Sequence, residues 1–160
     1  MASGGEIRRI YDVSDEGIRA LVDQSDVYLS GLYPPESNHA EPLAVLTAPG
    51  SAFFAIYEQQ QPVACGAVKL VGGTPPYAEI KRVFVDEAMR GKGLAVAIMA
   101  HLEAFAVEQD VSVMRLEAGP KQPEAIGLYR KLGYQNRGPF GPYRDDPLSI
   151  FMEKRLTVSR

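Results

Sequence analysis

From residue 52 onward the chain carries short, mostly apolar runs of strand length. Three such runs, Ala52–Glu58, Val63–Val71 and Tyr77–Asp86, are separated by Gln60-Gln61-Pro62 and Gly72-Gly73-Thr74-Pro75-Pro76. Connections this short predict an antiparallel meander. Upstream, Glu6–Asp12 predicts a first strand with few apolar positions. Ser14 offers an N-cap, and Asp15 and Glu16 suit the positive end of a helix dipole. Ile18, Leu21, Val22, Ser25, Tyr28, Leu29 and Leu32 then recur at helical spacing. The stretch Tyr33-Pro34-Pro35-Glu36-Ser37-Asn38-His39 ends that helix, because consecutive prolines cannot continue it. A short helix over Pro42–Thr47 closes at Pro49-Gly50. Beyond the third strand the rhythm lengthens. Gly93–Gln109 predicts a helix with Leu94, Ile98, Leu102, Phe105 and Ala106 on one stripe, followed by a strand over Val111–Glu117. Pro123–Leu132 predicts a second, with Pro123 in its first turn, Ala125, Leu128, Tyr129 and Leu132 on one face, and Gly133 at its end. Two last strands, near Tyr134 and over Ser149–Arg155, flank a loop rich in glycine and proline. The order βααβββαβαββ predicts an α/β (α+β) fold: a mixed, mostly antiparallel sheet with helices on both sides.

Composition narrows the class. A chain of 160 residues forms one domain, 1–160, and buries roughly 70% of its unfolded surface without a staple. With 17 lysines and arginines against 20 acidic residues the net charge is −3, which argues against a general nucleic-acid binder. A single cysteine forms neither an internal disulfide nor a cysteine-rich zinc site. Cys65 lies in a strand interior with no cation or histidine near it in sequence, as expected of a buried thiol. His39 and His101 are too far apart for metal-ligand spacing, and His101 is expected on a helix surface. No apolar run is long enough to span a membrane, and Met1–Ile10 lacks the apolar core of a signal peptide. The expectation is a cytoplasmic protein without membrane, nucleic-acid or metal partners.

The segment from Val83 to Ala95 carries the most chemistry. A strand enters a short loop, and the loop opens a helix through Gly91 and Gly93, with Arg90 and Lys92 beside them. The first amides of a helix lack internal partners and lie at the positive end of its dipole, so they hold phosphate well. The same loop is also readable as a solvated turn. A Walker loop is absent, and Val96 stands where a dinucleotide fingerprint needs glycine or alanine.

Arg90-Gly91-Lys92-Gly93-Leu94-Ala95 resembles the R/Q-x-x-G-x-G/A signature of the GNAT superfamily, the acetyl-CoA-dependent N-acetyltransferases. Ala125-Ile126-Gly127-Leu128-Tyr129-Arg130-Lys131-Leu132-Gly133-Tyr134 resembles the family's A-x-x-L-Y-x-x-x-G-F/Y helix, and the element order is similar over essentially the whole chain. Where the family often has asparagine, three residues before Ala125, this chain has Gln122, which keeps the amide. The segments Pro34–His39, Glu79–Arg82, Gly141–Tyr143 and Asp146–Ser149 are similar to a bacterial subgroup labelled indole-acetic-acid acetyltransferase. Indole acetic acid has no amine to acylate, so that label leaves the acceptor open.

The resemblance implies a GNAT fold of about seven strands and about four helices. It implies acetyl-CoA as acyl-donor cosubstrate, with no metal, and a homodimer, the assembly common in the family. Coenzyme A is expected in a splay between the fourth and fifth strands, with its pyrophosphate on Arg90, Gly91, Lys92, Gly93, Leu94 and Ala95. Its pantetheine arm is expected along the backbone of Val83, Phe84 and Val85, and Gln122 and Ala125 are expected beside it. Acyl transfer to an amine needs a base, oxyanion donors and a proton or hydrogen bond for the leaving thiolate. Glu79 is the expected base: with a period of two it faces the same way as Val83 and Val85. Its alternative is a carboxylate at a strand start, paired with Arg82 or a neighbour. Tyr129 is the expected acid, on a stripe where a buried aromatic is expected anyway. Glu36, Ser37 and His39, in the loop after the first helix, and Tyr143, in the loop before the last strand, are expected to line the acceptor pocket. The resemblance implies a small polar amine, such as an amino acid. A protein lysine or N-terminus, or a non-catalytic acyl-CoA sensor, are the alternatives.

Overall fold

The computed structural model describes residues 5–157, so residues 1–4 of the Met1–Ile10 stretch lie outside the described part. The elements follow in the expected order: β1 (Glu6–Ile10), α1 (Glu16–Leu32), α2 (Leu43–Leu46), β2 (Ser51–Glu58), β3 (Gln61–Val71), β4 (Tyr77–Val85), α3 (Leu94–Glu108), β5 (Val113–Ala118), α4 (Pro123–Lys131), β6 (Gln135–Arg137) and β7 (Ile150–Arg155). Short 3-10 turns at Pro35–Ser37 and Glu87–Met89 join them. The N-cap of α1 is Asp15, whose carboxylate accepts the Ile18 amide at 3.0 Å. Ser14, the expected cap, is held in a turn of its own: its amide and hydroxyl both donate to Asp12.

The seven strands form one sheet in the order β1-β2-β3-β4-β5-β7-β6. Every neighbouring pair is antiparallel except β4 and β5. One face packs on α3 and α4, through Ile98, Met99, Leu102 and Ile126 against Phe54, Val68, Ile80 and Met114. The other packs on α1 and α2, through Ile18, Leu21 and Leu46 against Phe53, Ala55 and Phe84. In α4 the core takes Tyr129 and also Ile126, with Ala125 and Leu132 packed against it, whereas Leu128, expected on the face of Tyr129, borders a cavity.

Two features open the middle of this sheet. The parallel pairing of β4 with β5 runs only from Ala78↔Met114 to Ile80↔Leu116, although β4 continues to Val85. Within that continuation β4 carries a bulge. Ala67 pairs with Lys81, but the next pairing two residues back on β3 joins Cys65 to Phe84, three residues on along β4. Arg82 absorbs the extra residue in a left-handed conformation, φ 58°.

The bulge corrects the face assignment of β4. Ala78 and Ile80 face α3 and α4, as Val83 and Val85 do, while Phe84 faces α1. Glu79 and Lys81 therefore lie on the α1 face, opposite to Val83 and Val85. Strict alternation fails because two residues oppose one at the bulge, which reverses the parity of everything beyond it.

Candidate active site

On the α3 side, the strand-to-helix turn is built from backbone. Gly91 (φ 81°) and Gly93 (φ 77°) adopt left-handed conformations that cost residues with a Cβ, and a Cβ at either would point into open space. Gly93 is the N-cap of α3 and supplies no side chain. The first intrahelical bond runs from the Ala97 amide to the Gly93 carbonyl, so the amides of Leu94, Ala95 and Val96 have no partner within the helix. The Arg90 guanidinium lies 5.5 Å from the Tyr28 ring centroid and 5.7 Å from that of Phe84, and no carboxylate pairs with it among the described residues. A cavity of about 480 Å³ opens here, within the range of small-molecule sites, between this turn and the start of α4. Val83, Phe84, Val85, Arg90, Gly91, Gly93, Leu94, Ala95, Gln122 and Ala125 all line it. Lys92 does not: it is exposed, with its ammonium 3.8 Å from the Met89 sulfur, because it precedes the left-handed cap that turns the chain into α3.

A second cavity, on the α1 side, is built from side chains. Glu79 and Lys81 are 5% and 8% exposed, and Tyr143 donates its phenol to Glu79 Oε2 at 2.5 Å. The Lys81 ammonium donates to the Tyr143 hydroxyl and to the His39 carbonyl, each at 2.9 Å, and lies 3.5 Å from Glu79 Oε2. Burial and the neighbouring Glu79 raise the Tyr143 phenol far above its ordinary range, so it remains a donor. Across the splay, Glu117 accepts from the Ser149 hydroxyl at 2.9 Å, and His39 Nδ1 lies 3.4 Å from the same oxygen. Ser37 ties the two loops of this cavity together by donating to Asp146 at 2.6 Å. Glu36 is exposed and lines neither cavity: in a 3-10 turn successive side chains diverge, and the inward place is taken by Ser37.

Tyr28, Val83, Phe84, Gln122, Ala125 and Tyr129 line both cavities. The two thus adjoin as the halves of a passage beside the gap where β4 and β5 part. Tyr129 is buried, its phenol raised to about 12 by desolvation alone, and among the described residues no group hydrogen-bonds it. Cys65 lies outside the passage: it is buried, its thiol is pushed up to about 12, and its Sγ donates to the Arg82 carbonyl. His101 is half-buried on α3, its ring edge-on to Phe54.

Residues 18–134 match the sequence profile of the acetyltransferase (GNAT) family. The chain belongs to the GNAT family. It is an acetyl-CoA-dependent N-acetyltransferase by that membership. An IAA acetyltransferase of Azospirillum brasilense is 41% identical over 143 residues, 88% of this chain and 92% of that protein. A Klebsiella pneumoniae protein assigned as an acyl-CoA N-acyltransferase has the same fold, with TM-score 0.82 and 36% identity over 96% of this chain and 99% of its own. PaiA N-acetyltransferase of Thermoplasma acidophilum, crystallised with coenzyme A, shares the fold at TM-score 0.76 and 16% identity, covering 95% of this chain and 99% of that one.

Within this GNAT chain, sequence reasoning missed Lys81 and Glu117 as members of the passage. Glu117 had one legible signal, the alternation of Arg115 and Glu117 with the apolar Met114, Leu116 and Ala118 along β5. Tyr33 also went unassigned; its hydroxyl donates to Gln122 Oε1 at 3.3 Å and accepts the Lys121 amide at 3.1 Å.

Proposed function

We propose that this protein moves the acetyl group of acetyl-CoA directly onto the primary amine of a small acceptor. The donor occupies the α3 cavity and the acceptor the α1 cavity. The observation that carries this reading is the adjacency of the two cavities, which sets a phosphate-suited turn against buried Glu79 and half-buried Glu117 across the parted strands. The fit to the donor rests on the unpaired amides of Leu94, Ala95 and Val96 with Arg90 beside them. Acetyl-CoA supplies a thioester whose carbonyl an amine attacks and whose sulfur leaves.

Glu79 receives the proton of the attacking amine; its Oε2 is held by Tyr143 and Lys81, and its Oε1 has no donor among the described residues. Its carboxylate reaches the passage from the face opposite Val83 and Val85, so base and donor approach the reacting carbon from two sides of the sheet. Tyr129, at the junction, donates a hydrogen bond to the departing sulfur. A phenol near 12 is a weaker acid than a thiol near 8.5. Complete proton transfer from it is therefore uphill, and Tyr129 stabilises the thiolate by its hydrogen bond.

Incubation with acetyl-CoA and a panel of amines, amino acids and lysine peptides tests this reading. Release of free thiol with a matching acetylated product of 42 mass units added (about the mass of an acetyl group less a proton) is expected for small amines. Acetyl-CoA binding without transfer to any acceptor would leave a sensor, and selective transfer to peptides a protein acetyltransferase.

A further inference from the structure

The charges around the acceptor cavity are unequal in what they leave open. Both cations in its wall are committed. Lys81 is bonded to Tyr143, the His39 carbonyl and Glu79, while Arg82 pairs with Asp26 on α1 and donates to the Glu41 carbonyl at 2.9 Å. Several partly buried carboxylates elsewhere have fixed cations: Glu41 has Lys69, Glu103 has Lys154, and Glu153 has Arg115 and Arg137, whereas Glu58, Asp86 and Asp146, which have none, line neither cavity. Glu117 is different. Its side chain is 14% exposed, it lines the acceptor cavity, and no lysine or arginine pairs with it among the described residues. Its nearest basic group, His39 Nδ1, is buried and forms no hydrogen bond. Glu117 also stands one residue past Leu116, the last position at which β5 pairs with β4, so it lies at the mouth of the gap.

A carboxylate this buried favours a cation beside it, since removing a charge from water without a partner is costly. Among the described residues the same wall offers an incoming anion no free lysine or arginine and two carboxylates to repel it. We propose that the acceptor enters as an ammonium received by Glu117, and that molecules bearing a carboxylate beside the amine are excluded. This rests on the transfer reading above and divides its acceptors: amines without an acidic group are substrates, and amino acids are not.

Matched pairs test the division on the unaltered protein: phenethylamine against phenylalanine, tryptamine against tryptophan, and putrescine against ornithine. Thiol release is followed for each, and calorimetry measures each ligand's affinity for the coenzyme-A-loaded protein. The amine of at least one pair is expected to exceed its amino acid by about tenfold or more in kcat/KM and in affinity. Equal or better performance by the amino acids overturns the proposal and leaves the transferase reading standing. So does failure of every amine to bind or react while acetyl-CoA still binds. Failure of acetyl-CoA itself to bind strikes the transferase reading instead. Glu117→Gln should raise KM for the preferred amine with kcat little changed and narrow the amine-to-amino-acid ratio, with Glu117→Asp restoring part of it. An unchanged ratio in Glu117→Gln removes Glu117 from the role.

Discussion

The two halves of the passage are made of different material. The anion-suited part of the α3 half is mostly backbone: helix-start amides, two left-handed glycines and one arginine, drawn from the continuous stretch between Arg90 and Val96, with Tyr28 and the start of α4 completing the walls. The α1 half is side chain: Glu79 and Lys81 from β4, Glu117 from β5, and His39 and Tyr143 from two loops, joined by hydrogen bonds and ion pairs. Backbone amides recognise what every acyl-CoA shares, its phosphates, and tolerate change in the side chains around them. A side-chain network of five residues recognises one kind of acceptor and is altered by any one substitution. On the proposed reading donor binding and acceptor choice are therefore separable, and the Gly93 and Glu79 variants below should each disturb one without the other.

Glu79→Gln should have the largest effect. Glutamine keeps the shape and can accept the Tyr143 hydrogen bond, but it cannot take a proton from the amine. A loss of about 10²–10⁴ in kcat/KM is expected at neutral pH, shrinking at high pH as the amine loses its proton unaided. Calorimetry should find acetyl-CoA affinity unchanged. A matching loss of donor affinity would mean that the two halves are not separable.

Tyr129→Phe acts where the halves meet. Removing the hydroxyl withdraws a hydrogen bond to a charged sulfur, an interaction of about 1.5–3 kcal/mol, so kcat should fall about 10- to 100-fold. Because the phenol is raised to about 12 by burial, it stays protonated through neutral pH, and the deficit should be the same at pH 7 and pH 9. A deficit that vanishes at pH 9 would assign the hydroxyl another role.

Gly93→Glu tests the donor half alone. The new carboxylate stands at the N-terminus of α3 where phosphate is proposed to lie, and should weaken acetyl-CoA by about 10- to 30-fold, near the ~2 kcal/mol ceiling for charge at a helix end. Gly93→Ala carries the same backbone strain without the charge, so the difference between the two variants isolates the anion site. Equal affinities in the pair would remove the phosphate from this turn.

The same contrast explains what could be read from the chain. The turn and the order of elements were legible because their determinants are neighbours: Arg90 to Ala95 are contiguous, and each strand or helix announces itself by its own period. The acceptor half was only partly legible. Nothing between Glu79 and Val85 marks a bulge, since the residue that bends is Arg82 rather than glycine or asparagine, and alternation then assigned Glu79 to the wrong face. Tyr143, expected near the acceptor, lines the α1 cavity proposed for it, but its hydroxyl is bound to Glu79, a partner 64 residues away that topology alone supplies. Lys81 reads as a surface cation until the loops carrying His39 and Tyr143 close over it.

Cys65→Ala should have the smallest effect on catalysis, and it tests whether the bulge is held by packing or by chemistry. The thiol lies on the α1 face of β3 and donates to the carbonyl of Arg82, the residue that turns β4. Its desolvation holds it near 12 when folded, against about 8.5 when unfolded. As pH rises the unfolded chain loses this proton first. The stabilisation from keeping the thiol neutral is thus complete below about pH 8.5 and is lost as pH climbs through 12. Alanine has no such proton. The stability advantage of the wild type over Cys65→Ala, measured by urea unfolding, should therefore shrink by about 2 kcal/mol between pH 7 and pH 10, a pH interval in which kcat of both proteins stays parallel. A constant advantage would show that the thiol already meets solvent in the native state. A divergence in kcat would show that the Arg82 bend depends on the thiol, and that the core of this sheet, not only its open middle, sets the position of Glu79.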